Sequence, residues 1–333
     1  MTTGLELLAA FVLIIGGAIG FTNAVEWLGQ RLNLGAGAVG ALLAAVGTAL
    51  PESVIPIVAL LSGGGEEATE IAIGAIVGAP FLLGTLAMVL VVGSAHLFSG
   101  RRDQGSDVVG EERATRRDLS WFLALMPIGI VLGVIGAPDA VRYAGAVLLL
   151  IGYGGYVRAT VKGGGDADDD EDLDALYFDW TRQDPPNTFQ MSAQFVVSLA
   201  AIIGGAELFV GAVEQIADSA GISPLVLALV LAPLATEMPE KANSVLWVRR
   251  GKDALALGNI TGAMTFQATI PVALGLAFTA WDLDAHAVTA AVIGLFGGAL
   301  ARWALPRQRV GLVPVAVWGT MFVGFVAYAA TTG

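Results

Sequence analysis

The chain contains no cysteine and only two histidines, which excludes disulfides, thiolate metal sites and a multi-histidine metal centre. Charged residues are scarce too, at 14% of the 333 residues, where a soluble domain carries about a quarter. Hydrophobic residues make up 56%, and long apolar runs separate the clustered charges. This pattern predicts a polytopic helical membrane protein. The net charge of -12 gives no indication of nucleic-acid binding, and we expect none.

Ten apolar segments are long enough to cross a hydrocarbon core of about 30 Å, which takes roughly 20 helical residues. Glycine or proline inside the second, third, seventh and eighth segments predicts tilt or a break in each of them. The first segment has no basic region before it, so we interpret it as a span and not as a cleaved signal. The predicted spans are 5–28, 36–61, 70–98, 119–136, 140–160, 191–216, 222–248, 254–280, 285–304 and 311–331.

The basic residues sort to alternate loops between these segments. With the N-terminus outside, fifteen of the 17 Lys and Arg residues fall on the inner side, as the positive-inside rule requires. The chain is therefore predicted to be a multi-pass protein of the cell membrane with both termini outside and an acidic loop, 162–190, in the cytoplasm. We interpret the acidic run inside this loop as solvated and not as a calcium-binding segment.

An ungapped internal repeat relates the two halves of the chain, with residues 16–52 matching 204–240. Each half holds an odd number of predicted spans, so the halves lie inverted relative to each other in the membrane. The predicted organisation is a first five-helix repeat at 1–161, the acidic loop at 162–190 and a second five-helix repeat at 191–333. The polar matches are Glu26 with Glu214, Thr48 with Thr236 and Glu52 with Glu240, and a proline precedes Glu52 and Glu240.

Glu52 and Glu240 lie in the interiors of the second and seventh segments, where a carboxylate is functional by default. The proline before each glutamate frees the carbonyl of the residue four positions earlier. Carboxylates beside such carbonyls suit a hard cation such as Na⁺ or Ca²⁺, and Thr48 and Thr236 can add oxygens. The alternative interpretation is that two protonated or paired glutamates only hold helices together.

Glu237 and Lys241 are spaced four apart with the glutamate first, the favourable order for a helical ion pair. Inside a membrane we expect this pair to neutralise both charges. Two interpretations stay open for it. One is a salt bridge without a transport role; the other is that the Lys241 ammonium takes the place of one transported cation.

Asn259 and Gln267 lie on roughly one face of the eighth segment, where their amides are expected to complete the site. Thr261 and Thr265 are expected nearby. The first half has alanine and leucine at the positions of the two amides. The predicted cage is therefore asymmetric, with side-chain oxygens drawn mainly from the second half.

These motifs resemble those of the sodium/calcium exchanger branch of the calcium/cation antiporter superfamily, which are close to GTSLPE on the second and seventh spans and GNxxGSNxFN on the third and eighth. The resemblance implies an all-α membrane fold of ten spans in two inverted five-helix repeats. It also implies alternating-access exchange of Na⁺ or H⁺ against Ca²⁺ or another cation. The motifs read GTALPE (47–52), ATEMPE (235–240), GAIVGAPFLL (74–83) and GNITGAMTFQ (258–267).

By position in the motifs, the resemblance implies that Glu52 and Glu240 bind the divalent ion. It carries Thr48 and Thr236 over as further ligands, and Gln267 stands where the family's eighth-span motif ends in asparagine. The chain also departs from the family pattern. The motif serine is alanine in the first half and glutamate in the second, and Lys241 adds a fixed positive charge, which argues against assuming three Na⁺ per Ca²⁺.

Two functions therefore stay open: a Ca²⁺ antiporter driven by Na⁺ or H⁺, and a Na⁺/H⁺ exchanger on the same scaffold with Glu52, Glu237 and Glu240 as carriers. The sequence has no HExxH motif and no phosphate-binding GxxxxGK[ST] loop, so we expect a secondary transporter and not an enzyme or an ATP-driven pump. The expected partners are inorganic cations and the lipid bilayer. We expect no resident cofactor, and a monomer.

Overall fold

The computed structural model is all-helical over the residues it describes, which are 2–31, 52–61, 65–163, 175–179 and 186–332. The upstream part of the second predicted span, with Thr48, and most of the acidic loop lie outside these residues. The helices in chain order are α1 Thr2–Arg31, α2 Glu52–Leu61, α3 Gly65–Leu82, α4 Met88–Leu97, α5 Glu112–Val134, α6 Asp139–Gly163, α7 Thr188–Ala220, α8 Pro224–Arg249, α9 Asp253–Gln267, α10 Ile270–Phe278, α11 Ala285–Ala304 and α12 Leu312–Thr332.

Eight helical stretches in the described residues are long and apolar enough to cross a membrane, counting α3 with α4 and α9 with α10 as single stretches. Two shorter apolar helices, α2 and the first part of α8, stand at the second and seventh predicted spans. Helices thus stand at all ten predicted spans, with the second span described only from Glu52 onward. The largest boundary difference is at α5, which begins at Glu112 and not near residue 119.

The third and eighth spans are broken, and they are broken at equivalent positions of the repeat. A π-helical turn, Leu83–Ala87, separates α3 from α4. In the second half α9 ends at Gln267, the counterpart of Leu83, and α10 begins at Ile270. The seventh span differs, since α8 continues as one helix through Pro233 and Pro239. The break that carries Gln267 is therefore a property of both halves.

Helix α3 packs closely against α8, and α1 packs along α7. Gly74 and Gly78 allow α3 to lie close to α8. A Cβ atom on Gly74 would lie 2.5 Å from the Leu225 carbonyl oxygen, and one on Gly78 would lie 2.2 Å from that of Leu229. The two helices thus meet backbone to backbone, the packing that small residues permit in membranes.

Apolar residues form two main clusters. The larger is built by α3 to α6 and α8 to α12. The smaller joins α1, α2 and α7 to α3 and α8. Helices α3 and α8 contribute to both clusters, so the motif helices lie where the clusters join.

A buried ion pair fixes the loop between α4 and α5 to the turn between α8 and α9. The Arg102 guanidinium lies 2.6 Å from an Asp253 carboxylate oxygen, with both side chains fully buried. Arg102 also donates to the Val248 carbonyl at 2.7 Å, and the Val109 amide donates to Asp253 at 2.8 Å. These contacts place the α4–α5 loop and the α8–α9 turn on the same face of the molecule.

Candidate cation site

Glu52 and Gln267 meet where the two halves of the repeat come together. The Gln267 side-chain amide donates a hydrogen bond to a Glu52 carboxylate oxygen. Glu52 is 6% exposed and Gln267 is 1% exposed. Both residues were predicted for the site from opposite halves of the chain, and the structure brings them into direct contact.

A proline follows each of these residues by four positions, as Pro56 in α2 and Pro271 in α10. Proline has no N–H, so it cannot give the carbonyl of Glu52 or of Gln267 the donor that a regular helix supplies. Backbone oxygens of this kind are common ligands of hard cations. The prolines that precede the motif glutamates act by the same principle, and the predicted site did not include the carbonyls of Glu52 and Gln267.

Glu237 and Lys241 form the ion pair that their spacing predicts. The Lys241 ammonium lies 2.8 Å from a Glu237 carboxylate oxygen, and the two side chains are 1% and 0% exposed. The described residues offer this carboxylate no other hydrogen-bond donor. The ammonium is therefore the main compensation for burying the Glu237 charge.

Ser244 extends this face of α8 toward α9. Its position, seven residues after Glu237 and three after Lys241, places the three side chains on one stripe of the helix. Ser244 is fully buried, and its hydroxyl accepts a hydrogen bond from the Asn259 amide at 3.3 Å. The two predicted amides thus bind different partners: Asn259 contacts α8, and Gln267 contacts α2.

The remaining predicted ligands are placed less completely. Thr236 is buried, and its hydroxyl donates to the Ala232 carbonyl of the same helix at 3.2 Å. The backbone of Glu240 belongs to α8, but its side chain lies outside the described part of the chain, as does all of Thr48. No three acidic or histidine side chains converge among the described residues. The roles of Glu240 and Thr48 thus stay predictions.

Thr261 and Thr265, which were expected near the amides, bond to a different helix. Each donates to Asp118 of α5 at 2.9 Å, Thr261 to the carboxylate and Thr265 to the backbone carbonyl. The Tyr156 side chain of α6 forms a further hydrogen bond with the same carboxylate. Thr261 lies about 200° around the helix from Asn259, at 100° per residue. The two faces of α9 therefore serve different partners.

The comparisons with known proteins agree with this architecture. The profile of the sodium/calcium exchanger protein family matches residues 4–162 and 191–331. The putative antiporter CaxA of Alkalimonas amylolytica is 25% identical over 283 residues, which cover 84% of this chain and 82% of that protein. The inner membrane protein YrbG of Escherichia coli is 25% identical over 285 residues, or 84% of this chain and 80% of that protein.

Two kinds of solved exchanger share the fold. The H⁺/Ca²⁺ exchanger CAX superposes with a TM-score of 0.76 at 19% identity, covering 99% of this chain and 82% of that one. The sodium-calcium exchanger NCX_Mj superposes with a TM-score of 0.61 at 20% identity, covering 98% of both chains. Such likeness confirms the all-α fold of two inverted five-helix repeats. Because the family profile covers both halves of the chain, the protein belongs to the sodium/calcium exchanger family.

Proposed function

We propose that this protein is an alternating-access antiporter that exchanges Ca²⁺ for a monovalent cation, Na⁺ or H⁺. The observation that carries the proposal is the buried hydrogen bond between Glu52 and Gln267. It joins a carboxylate of one inverted repeat to an amide at the helix break of the other. Transporters built from inverted repeats place their ion sites at such interrupted helices near the membrane midplane.

The chemistry of the site favours a hard cation. Its candidate ligands are carboxylate, amide, hydroxyl and backbone oxygens, which Ca²⁺ and Na⁺ prefer over nitrogen and sulphur. Glu240 supplies a second motif carboxylate by sequence, so two negative charges match one divalent ion. The names of the solved relatives, an H⁺/Ca²⁺ exchanger and a sodium-calcium exchanger, support Ca²⁺ as the transported divalent ion. They also support both monovalent ions as candidates for the coupling ion.

Uptake of ⁴⁵Ca²⁺ into proteoliposomes that contain the purified protein tests the proposal. An imposed Na⁺ gradient and an imposed pH gradient are applied separately, and we expect one of them to drive uptake. Glu52→Gln and Glu240→Gln should each abolish uptake, because each removes a charge that binds the divalent ion. The matched control is Glu112→Gln, which changes an exposed glutamate paired with Arg116 at 2.8 Å.

The outcomes separate the two candidate functions. Ca²⁺ uptake that survives both site substitutions would show that the site lies elsewhere. Na⁺ flux driven by a pH gradient without any Ca²⁺ movement would assign the protein to Na⁺/H⁺ exchange. Absence of any coupled ion flux would refute the antiporter proposal.

A further inference from the structure

The second half of the repeat carries two charges that the first half lacks. The positions equivalent to Glu237 and Lys241 are Ala49 and Ser53. The first half of the repeat has no charged pair at these positions. The pair is therefore specific to the second half, and its position beside a motif glutamate suggests a link to the predicted ion site.

The positive charge of this pair is fixed one residue after a motif glutamate. Lys241 directly follows Glu240 in the chain, and its ammonium is held 2.8 Å from the buried Glu237 carboxylate. The same stripe of α8 contacts α9 through the Ser244 hydroxyl and the Asn259 amide. Helix α9 in turn carries Gln267, the partner of Glu52. The ammonium thus lies on the stripe of α8 that also contacts the helix carrying Gln267.

The charges of the site can be counted. With Glu240 in the role that its motif predicts, Glu52, Glu237 and Glu240 contribute three negative charges and Lys241 contributes one positive charge, which leaves minus two. A loaded site at membrane depth is stable only close to neutrality, because low dielectric makes an uncompensated charge costly. One divalent cation satisfies this condition, and so do two monovalent cations. Three monovalent cations would leave an excess positive charge.

We propose that Lys241 is a resident cation that sets the coupling at two monovalent ions per divalent ion, so that the exchange cycle is electroneutral. The inference rests on the proposed antiport function and adds its stoichiometry. A tethered ammonium compensates Glu237 in both loading states and never leaves the site. It therefore occupies the place that a third transported monovalent ion would otherwise take.

Replacement of the ammonium should change the coupling number. In Lys241→Met the carboxylates of Glu52, Glu237 and Glu240 carry minus three, so the monovalent-loaded state requires a third ion. Under a tenfold gradient of the coupling ion at zero membrane potential, the wild type should reach a Ca²⁺ ratio of about a hundredfold. The variant should reach about a thousandfold, because each added coupling ion contributes a further factor of ten.

The response to membrane potential distinguishes an electroneutral cycle of two monovalent ions per Ca²⁺ from an electrogenic cycle of three. A potassium diffusion potential, set with valinomycin, should leave the wild-type Ca²⁺ ratio unchanged and should shift the ratio of Lys241→Met. The control is Lys162→Met, which removes an exposed lysine at the end of α6 and should behave as the wild type does. Glu237→Ala with Lys241→Ser copies the first half and restores minus two, so this double variant should be electroneutral.

A wild-type ratio that shifts with potential would overturn the inference, as would a Lys241→Met protein that stays electroneutral. If Lys241→Met cannot be reconstituted, the wild type and the double variant still test whether the exchange cycle is electroneutral. Electroneutral exchange by both supports the inference, and potential-dependent exchange by either overturns it. Wild-type protein that moves no Ca²⁺ under any gradient refutes the antiport function itself, which is a different result.

Discussion

Gln267 is the residue of the second half that binds Glu52, the motif glutamate of the first half. Its counterpart in the first half is Leu83, which begins the π-helical turn at the matched break. Asn259 likewise has Ala75 as its counterpart. Both amides therefore belong to the second half, and the first half supplies the acidic side chain of the contact. The first-half residues, leucine for Gln267 and alanine for Asn259, are therefore suitable apolar substitutions for testing each amide.

Gln267→Leu should weaken divalent-cation binding without unfolding the protein. It removes a proposed oxygen ligand and one hydrogen bond to the charged Glu52, an interaction that contributes about 1.5–3 kcal/mol. The KM for Ca²⁺ should rise about ten- to a hundredfold, at 1.4 kcal/mol per tenfold. The measurement is the concentration dependence of ⁴⁵Ca²⁺ uptake.

Asn259→Ala is the matched control for this prediction. Its amide bonds to a neutral hydroxyl at 3.3 Å, so the KM should change by about fivefold at most, given a net value near 1 kcal/mol. An equal or larger effect of Asn259→Ala would show that the site centres on the α8–α9 contact and not on Glu52.

The contact of Glu52 with Gln267 could be predicted because both residues stand in motifs that chemistry explains. The contact of Ser244 with Asn259 was missed, because a lone serine in an apolar segment has no distinctive pattern. Its spacing of three residues from Lys241, which puts both on one face of α8, is the signal that could have indicated it. Asp118 was missed for a different reason. The predicted span began at residue 119, one position too late to include it. Three arginines at positions 113, 116 and 117 lower the hydropathy there, so the apolar run begins only after Asp118.

At the scale of helices, glycine decides how closely α3 and α8 approach. Gly78 lies against the Leu229 carbonyl of α8, and Pro233 follows Leu229 by four residues within that continuous helix. Proline leaves that carbonyl without its helical donor, and the absent side chain of Gly78 makes room for it. The glycines that match between the two halves, at 74/258 and 78/262, could suggest close helix contacts from sequence, but not which backbone atoms they meet.

Gly78→Ala should destabilise the protein. The new Cβ would lie 2.2 Å from the Leu229 carbonyl oxygen, so α3 and α8 must separate, at a cost of about 1–3 kcal/mol. The measurement is the apparent melting temperature in detergent, followed by size-exclusion chromatography after heating. We expect a clear decrease relative to the wild type.

Gly93→Ala in α4 serves as the comparison for this substitution. Its Cβ would meet only Val315, at 3.9 Å, an ordinary contact distance. Alanine also favours a helix over glycine by about 1 kcal/mol, so the melting temperature should hold or rise. Equal losses in both variants would mean that helix separation at Gly78 is not the cause.

The breaks in the third and eighth spans were predictable because glycine and proline interrupt both segments. The partner of each face of α9 was not predictable. Periodicity shows that Asn259 and Thr261 point in different directions, but only the folded structure shows that α5 lies on the threonine side. Asp118 anchors that side through two threonine hydroxyls. Which helix contacts each face of α9 is set by tertiary packing, which leaves no pattern in the local sequence.

At the scale of the whole molecule, the polar contacts divide the loops into two faces. The Arg102–Asp253 pair joins the α4–α5 loop to the α8–α9 turn. On the opposite face, Ser223 at the start of α8 donates to Glu70 near the start of α3 at 3.1 Å, and His286 contacts Thr332 at 2.9 Å. The predicted topology groups these segments in the same way. The grouping alone does not say which face is cytoplasmic.

The distribution of arginine predicts that the face with the Arg102–Asp253 pair is cytoplasmic, because basic loops are retained on the inner side. The chain has no cysteine, so each introduced cysteine is the only thiol. In intact cells a membrane-impermeant maleimide should label Thr331→Cys at the exposed end of α12. It should label Asp103→Cys and Lys162→Cys only after permeabilisation. The reverse pattern would place both termini inside, and the ion gradients that drive exchange would then act on the opposite ends of the site.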